Sequence, residues 1–195
     1  MNKVRILFIG SQETGFEALN VLLDDTRVEV IGVFALQPGP HEKWEKSTLS
    51  LAKANSIPVW EFEDHLTRDS ISKNVNDQKY IKIVQNLNPD LVFVLGWRQL
   101  IGKRIREIPS LGVIGIHFSL LPKLRGHAPV SWSIIEGEEF GGLSLFFFEA
   151  GADTGDIIVQ KKTKIKLDDT AKTLRTRLIT LTKEGDYKEI RFNIS

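Results

Sequence analysis

Apolar residues in the first half of the chain come in short unbroken bursts, separated by stretches where they recur every three or four positions. Val4-Arg5-Ile6-Leu7-Phe8-Ile9-Gly10 is the first burst, a β-prone run that ends in glycine. Behind it, Phe16, Leu19, Val21 and Leu22 are spaced as the apolar positions of a helix. Arg27–Leu36, rich in Val, Ile and Phe, predicts a second strand. Leu49–Asn55 then predicts a helix, and Ile57-Pro58-Val59-Trp60 a short third strand. Asp77–Leu87 reads as a helix with Ile81, Val84 and Leu87 on one face. Leu91–Gly96 carries no polar side chain, as expected of a strand covered by helices on both faces. Alternation of strand and helix over this span predicts an α/β fold with a doubly wound, mostly parallel sheet.

The second half is less regular. Gly112–His117 is a strand, and Ser119–His127 a long loop containing Pro122 and Gly126. Ala128–Glu136 is expected to be helical, with Pro129 tolerated in its first turn. Gly142–Phe148 and Ile157–Ile165 read as strands joined by the loop Gly151–Gly155. Thr170–Leu181 begins a helix carrying Leu174, Leu178 and Leu181, and Leu181–Asp186 interrupts that pattern. The stretch Gln37–Ser47, with Pro38, Gly39 and Pro40, reads as a loop rather than a domain boundary. A length of 195 residues then predicts a single domain over 1–195.

Composition narrows the function classes. A formal charge of +1 provides no global field for nucleic acid or an anionic membrane, so neither is expected as a partner. The absence of cysteine excludes disulfides, thiolate nucleophiles and cysteine-bound zinc. Val4–Ile9 is too short for a signal-peptide core, and no apolar run approaches the ~20 residues that span a bilayer. A cytoplasmic location is expected.

Four features carry candidate chemistry. Gly10-Ser11-Gln12-Glu13-Thr14-Gly15 joins a strand to a helix, so its amides could receive an anion. It lacks dinucleotide-type glycine spacing, and an ordinary turn explains it equally well. His117 ends an apolar strand, at the end of the sheet where α/β folds place ligands, and imidazole suits proton shuttling near neutrality. His41, His65 and His127 lie in loops without a carboxylate in a shared motif and read as surface residues. Glu149–Asp156 holds three carboxylates and two glycines; a turn explains it, and its spacing is not that of a calcium loop. Lys123-Leu124-Arg125-Gly126-His127 is a small basic patch that could meet a phosphate or simply face solvent.

Two long motifs change this balance. Ile116-His117-Phe118-Ser119-Leu120-Leu121-Pro122-Lys123-Leu124-Arg125-Gly126 is followed by Ala128-Pro129-Val130-Ser131-Trp132. Downstream stands Gly151-Ala152-Asp153-Thr154-Gly155-Asp156-Ile157-Ile158, with Asp153 placed 36 residues after His117. Together they resemble the 10-formyltetrahydrofolate-dependent formyltransferases, a family acting on methionyl-tRNA, glycinamide ribonucleotide or nucleotide-linked amino sugars. The likeness runs from about Val4 to about Leu181 and implies the Rossmann-like formyltransferase fold. It implies that an amine attacks the formyl carbon of 10-formyltetrahydrofolate, the co-substrate. His117 would polarise or protonate the developing oxyanion, and Asp153 would orient the histidine or a water and receive the amine proton. The resemblance assigns the pterin to Trp97, Arg98, Gln99 and Leu100 together with Phe148, Glu149, Ala150, Gly151 and Ala152. Gly96 would then let the backbone approach a flat ring. Ser11, Ser119, Leu120, Arg125 and Gly126 would meet the acceptor, and no metal is implied.

One position departs from the family. An Asn usually stands two residues before the histidine and donates to the oxyanion; here it is Gly115. Losing such a donor costs roughly 2.7–4 kcal/mol of barrier. Ser119 is a candidate substitute, and activity is expected to survive with His117 taking more of the oxyanion. With the sequence running to Ser195, the further C-terminal domain by which tRNA-directed members hold RNA is not expected, and Ser11–Thr14 does not match the Gly/Ser/Asn-rich phosphate loop usual in the purine enzymes. Elimination leaves a nucleotide-linked amino sugar as the expected acceptor, a small-molecule partner, with a homodimer allowed. A tRNA or glycinamide ribonucleotide acceptor stays open, as do a non-catalytic folate- or nucleotide-binding paralogue, a formyl-folate hydrolase and a metal-dependent hydrolase.

Overall fold

The computed structural model describes residues 2–37, 46–62, 74–97 and 99–183. The chain divides into two compact units, Met1–Val113 and Ile114–Ser195. Its strands belong to a seven-stranded, mostly parallel sheet.

The first unit holds β1 (Val4–Gly10), α1 (Gln12–Leu23), β2 (Val28–Leu36), α2 (Thr48–Ala54), β3 (Val59–Phe62), α3 (Gln78–Leu87), β4 (Leu91–Leu95) and the short α4 (Lys103–Arg106). Its strands run parallel in the order β3-β2-β1-β4, with β1 paired to β2 and β4 at once. That central place explains the burst at Val4–Gly10. Ile6, Leu7, Phe8 and Ile9 are all fully buried, so both faces of the strand need apolar side chains. The aromatic core is continuous: the Phe34 ring meets Trp60, Phe62 and Tyr80 at centroid distances of 5.2–5.9 Å. The fully buried Phe34 and Phe62 rings each contribute about 1.5–3 kcal/mol.

Three expectations shift in detail. The third strand starts at Val59, not Ile57, because the Ile57 amide closes the end of α2 on the Ala52 carbonyl and Pro58 has no N–H. The buried face of α1 is Thr14, Gly15, Ala18, Leu19 and Leu22; Phe16 and Val21 are only partly covered. Small residues let that helix lie close, which an apolar-periodicity reading undervalues. In α4 only Ile105 is buried, too little periodicity to show in the sequence. Most of Gln37–Ser47 lies outside the described residues, as do His41 and His65.

The second unit holds most of β5 (Val113–His117), then α5 (Pro129–Ile135), β6 (Phe140–Phe147), β7 (Ile157–Lys164) and α6 (Ala171–Lys183). Here the pairing is antiparallel, in the order β5-β6-β7. β6 begins two residues earlier than the expected Gly142 and ends one before Phe148. Gly141 and Gly142 are strand residues: a Cβ on Gly141 would meet Leu174, and one on Gly142 would overlap Leu120. Val130, Leu174 and Leu178 form the buried centre, with Phe118, Ile134, Ile165, Ala171 and Leu181 packed around it. Asp169 anchors α6, accepting from Arg177 Nη1 at 2.7 Å and from Thr173 Oγ1 at 2.8 Å. That guanidinium holds the Asp169 carboxyl well below the usual carboxylate range. Among the described residues no helix is long and apolar enough to cross a membrane.

Candidate functional site

The second unit brings the two long motifs together. His117 is the last residue of β5 and is 9% exposed. Its Nε2 lies 2.8 Å from the Leu124 carbonyl oxygen. A carbonyl can only accept, so Nε2 carries the hydrogen and donates it. The other nitrogen, Nδ1, faces Asp153 Oδ2 at 3.5 Å. That separation exceeds a formed N–H···O bond, so the pair is adjacent but not closed. Catalytic hydrogen bonds in unliganded proteins are often long in this way.

Asp153 owes its place to an unusual backbone. Its φ is +53°, a left-handed conformation that few side chains other than Asn and Asp tolerate. Two bonds fasten it to the loop after His117: Oδ2 accepts from the Gly126 amide, and its carbonyl from Arg125 Nε, both at 2.9 Å. Gly155 lets the chain return to the sheet, since a Cβ there would overlap the Phe147 carbonyl. The glycines of Gly151–Gly155 thus shape the loop that carries the carboxylate.

The remaining predicted residues take varied places. Ser119 is buried, and its hydroxyl donates to the Lys123 carbonyl at 2.6 Å; that proton is committed inside the loop rather than to an oxyanion. Leu120 packs against Gly142. In the basic patch, Lys123 pairs with Glu138 at 2.8 Å while His127 is exposed. Phe148 stacks on Phe146 with ring centroids 5.1 Å apart, and Glu149, Ala150, Gly151 and Ala152 are exposed. Gly115 is buried in β5 opposite Phe146 and offers no side-chain donor. Being two residues from His117 in a strand, it belongs to the same face.

In the first unit, Ser11 is fully buried and its Oγ accepts from the Leu36 amide at 2.7 Å. The Trp97 ring meets Phe62 edge-on at 5.2 Å, and its indole N–H is buried without a hydrogen-bond partner. Gln99 Oε1 accepts from the Val75 amide at 2.8 Å, and Leu100 is 81% exposed. Arg98 lies outside the described residues. Gly96 is glycine for a local reason: its φ is +66° and a Cβ would overlap the Ser11 carbonyl. The close approach is therefore to the chain's own backbone.

Ser144, Gln160 and the Leu124 carbonyl escaped sequence reasoning. Ser144 left a trace, as a hydroxyl between Leu143 and Leu145 in an apolar strand that turns out to be fully buried. Gln160 left none among the polar residues of β7, and a backbone carbonyl has no signature. Among the described residues no three His, Cys, Asp or Glu side chains are grouped to hold a metal ion.

Comparison with known proteins accounts for the motifs. The chain is 35% identical over 182 residues to the methionyl-tRNA formyltransferase of Alkaliphilus oremlandii, covering 91% of this chain and 55% of that protein. With that of Clostridioides difficile it is 34% identical over 194 residues, covering 96% and 59%. It thus spans a little over half the length of these curated relatives. Among solved structures, glycinamide ribonucleotide transformylase 1 of Symbiobacterium toebii matches with a TM-score of 0.78 at 21% identity, covering 97% and 86% of the two chains. A sugar 3N-formyl transferase solved in the presence of dTDP and 5-N-formyl-THF matches at 0.70 and 22%, covering 97% and 62%. These two likenesses are of fold. The Formyl transferase family profile matches residues 4–188, and the chain belongs to that family.

Proposed function

We propose that this chain carries out folate-dependent N-formyl transfer, from 10-formyltetrahydrofolate to a primary amine. The observation that carries the reading is the 3.5 Å approach of His117 Nδ1 to Asp153 Oδ2 in a member of the Formyl transferase family. The amine nitrogen bonds to the formyl carbon, and the carbonyl π pair moves onto oxygen. Collapse restores C=O, breaks the bond to the folate nitrogen and leaves the formamide. The amine loses one proton and the folate nitrogen gains one, so a group that accepts and returns a proton serves both halves. With Nε2–H donated to Leu124, Nδ1 and Asp153 Oδ2 face each other across a gap that one proton bridges. Nδ1 is then the ring nitrogen through which His117 deals with substrate.

The acceptor is the finer part of the proposal. A nucleotide-linked amino sugar is the first reading, supported by the fold likeness to a sugar 3N-formyl transferase. The 35% identity to a methionyl-tRNA formyltransferase favours tRNA as a second reading, whatever the modest net charge. A third, a folate-binding paralogue without turnover, draws on Gly115 and on the committed hydroxyl of Ser119. One assay separates them: 10-formyltetrahydrofolate with methionyl-tRNA, glycinamide ribonucleotide or an amino-sugar nucleotide in parallel, alongside calorimetric titration of the folate. Formylated amine in one arm, lost in H117A, is the expected result. Folate binding with no product in any arm would overturn the catalytic reading.

A further inference from the structure

His117, Ser144 and Gln160 form one row across three strands. His117 is the antiparallel partner of Ser144, and Ser144 that of Gln160, so all three side chains belong to the same face. The loop after His117 folds back along this row and is stitched to it. Ser144 Oγ donates to the Ser119 carbonyl at 2.7 Å and accepts from the Leu121 amide at 3.1 Å and from Gln160 Nε2 at 2.8 Å. One O–H and two lone pairs are a hydroxyl's whole capacity, and all are used. Gln160 Nε2 also donates to the Leu121 carbonyl at 2.8 Å. That acceptor-only partner settles which end of the amide faces inward.

The stitched segment then decides the state of the histidine. Ser119 Oγ closes the turn on the Lys123 carbonyl, and the next carbonyl, Leu124, is the one that receives His117 Nε2–H. Were the loop to slide, the imidazole would lose the acceptor that keeps a hydrogen on Nε2, and Nδ1 would no longer be the nitrogen held facing Asp153. A valine–leucine pair would fill the same sheet positions, yet it would leave the Leu121 amide and the Ser119 carbonyl without their bonds. We infer that Ser144 and Gln160 are positioning residues for His117, holding the 119–124 loop so that the Leu124 carbonyl selects the Nε2–H tautomer. The inference rests on the proposed transfer reaction only for its catalytic consequence.

The test reads the tautomer directly. Long-range ¹H–¹⁵N correlation spectra of the ring nitrogens are recorded on the full chain, with His117 assigned by its absence in H117Q. Wild type is expected to show hydrogen on Nε2. S144A and Q160A, folded by circular dichroism, are expected to show mixed tautomers and a roughly tenfold lower kcat at unchanged KM for the folate. Q160E, which keeps the side-chain length but loses both donors, should behave as Q160A. Folded variants that keep the wild-type tautomer would overturn the inference, as would wild type with its hydrogen on Nδ1. Should S144A not fold, Q160A at an exposed position decides. The spectra need no substrate, so a wild type that is inactive but holds its hydrogen on Nε2, with shifted tautomers in S144A and Q160A, would refute the proposed reaction and leave this inference standing.

Discussion

The two units of the chain are held by different forces. In Met1–Val113 the strands are parallel and mostly apolar, and the centre is a cluster of rings around Phe34. In Ile114–Ser195 the apolar centre is smaller, and the loops around His117 are fixed by directed bonds: Ser144 to Ser119, Ser119 to Lys123, Gly126 and Arg125 to Asp153. Hydrophobic burial is non-directional and tolerates small changes of contact geometry. A proton carrier placed opposite a carboxylate does not, and hydrogen bonds to backbone groups supply the direction. The difference teaches where each kind of damage should appear: in stability for the first unit, in turnover for the second.

The largest effects set that contrast most sharply. H117A or D153N should lower kcat about 10²–10⁴-fold, the range for a positioned acid/base group, with thermal midpoint nearly unchanged. F34A should cost about 3–5 kcal/mol of unfolding free energy, measured by urea titration, and leave the turnover of the folded fraction intact. Equal stability losses in H117A and F34A would break the comparison.

Next comes Gly115, which shares the His117 face. G115N should raise kcat, by up to about 10²-fold, if an amide at this point can donate to the developing oxyanion. Its cross-strand partner is the buried Phe146, so the same variant reports on space. A fall in thermal midpoint without any gain in kcat would mean that Phe146 already fills the position, and the missing donor would then have to be sought in the backbone.

How much of this could be read beforehand follows from the same division. The inner strands of the first unit are legible because a parallel strand buried on both faces must be mostly apolar, and Leu91–Leu95 shows that rule without exception. The errors were at ends, where Pro58 and the Ile57 amide settle the boundary by hydrogen bonding rather than hydropathy. In the second unit the His117 and Asp153 motifs were legible only through their likeness to a family. Nothing in Asp153's neighbours predicts a left-handed backbone, and nothing in Leu124 marks its carbonyl as the partner of an imidazole. Ser119 shows the limit most plainly: residue type made it a plausible oxyanion donor, and the geometry gives its proton to Lys123.

A smaller effect tests whether the second unit's glycines act through the site. G155A places a methyl on the Phe147 carbonyl and should cost about 1–3 kcal/mol, while lowering kcat more than a cavity of equal cost such as L178A. Equal kcat values in the two variants would show that the Asp153 loop does not depend on Gly155.

The smallest expected effect concerns charge remote from His117. Arg177 holds the Asp169 carboxyl below its ordinary range, with backbone and Thr173 bonds acting in the same direction. A carboxyl whose pKa is depressed on folding adds stability above its unfolded value, about 3.9, and that contribution is lost as pH falls through the folded value. D169N should therefore have a lower thermal midpoint than wild type at pH 7. The gap should begin to narrow below about pH 4, where the unfolded carboxyl takes up its proton. Activity at pH 7 should be unchanged at a temperature where both are folded, because Asp169 serves α6 and not the loops that hold His117. A midpoint difference that stays constant from pH 7 to pH 2 would mean that Asp169 acts as a helix cap through its shape rather than its charge.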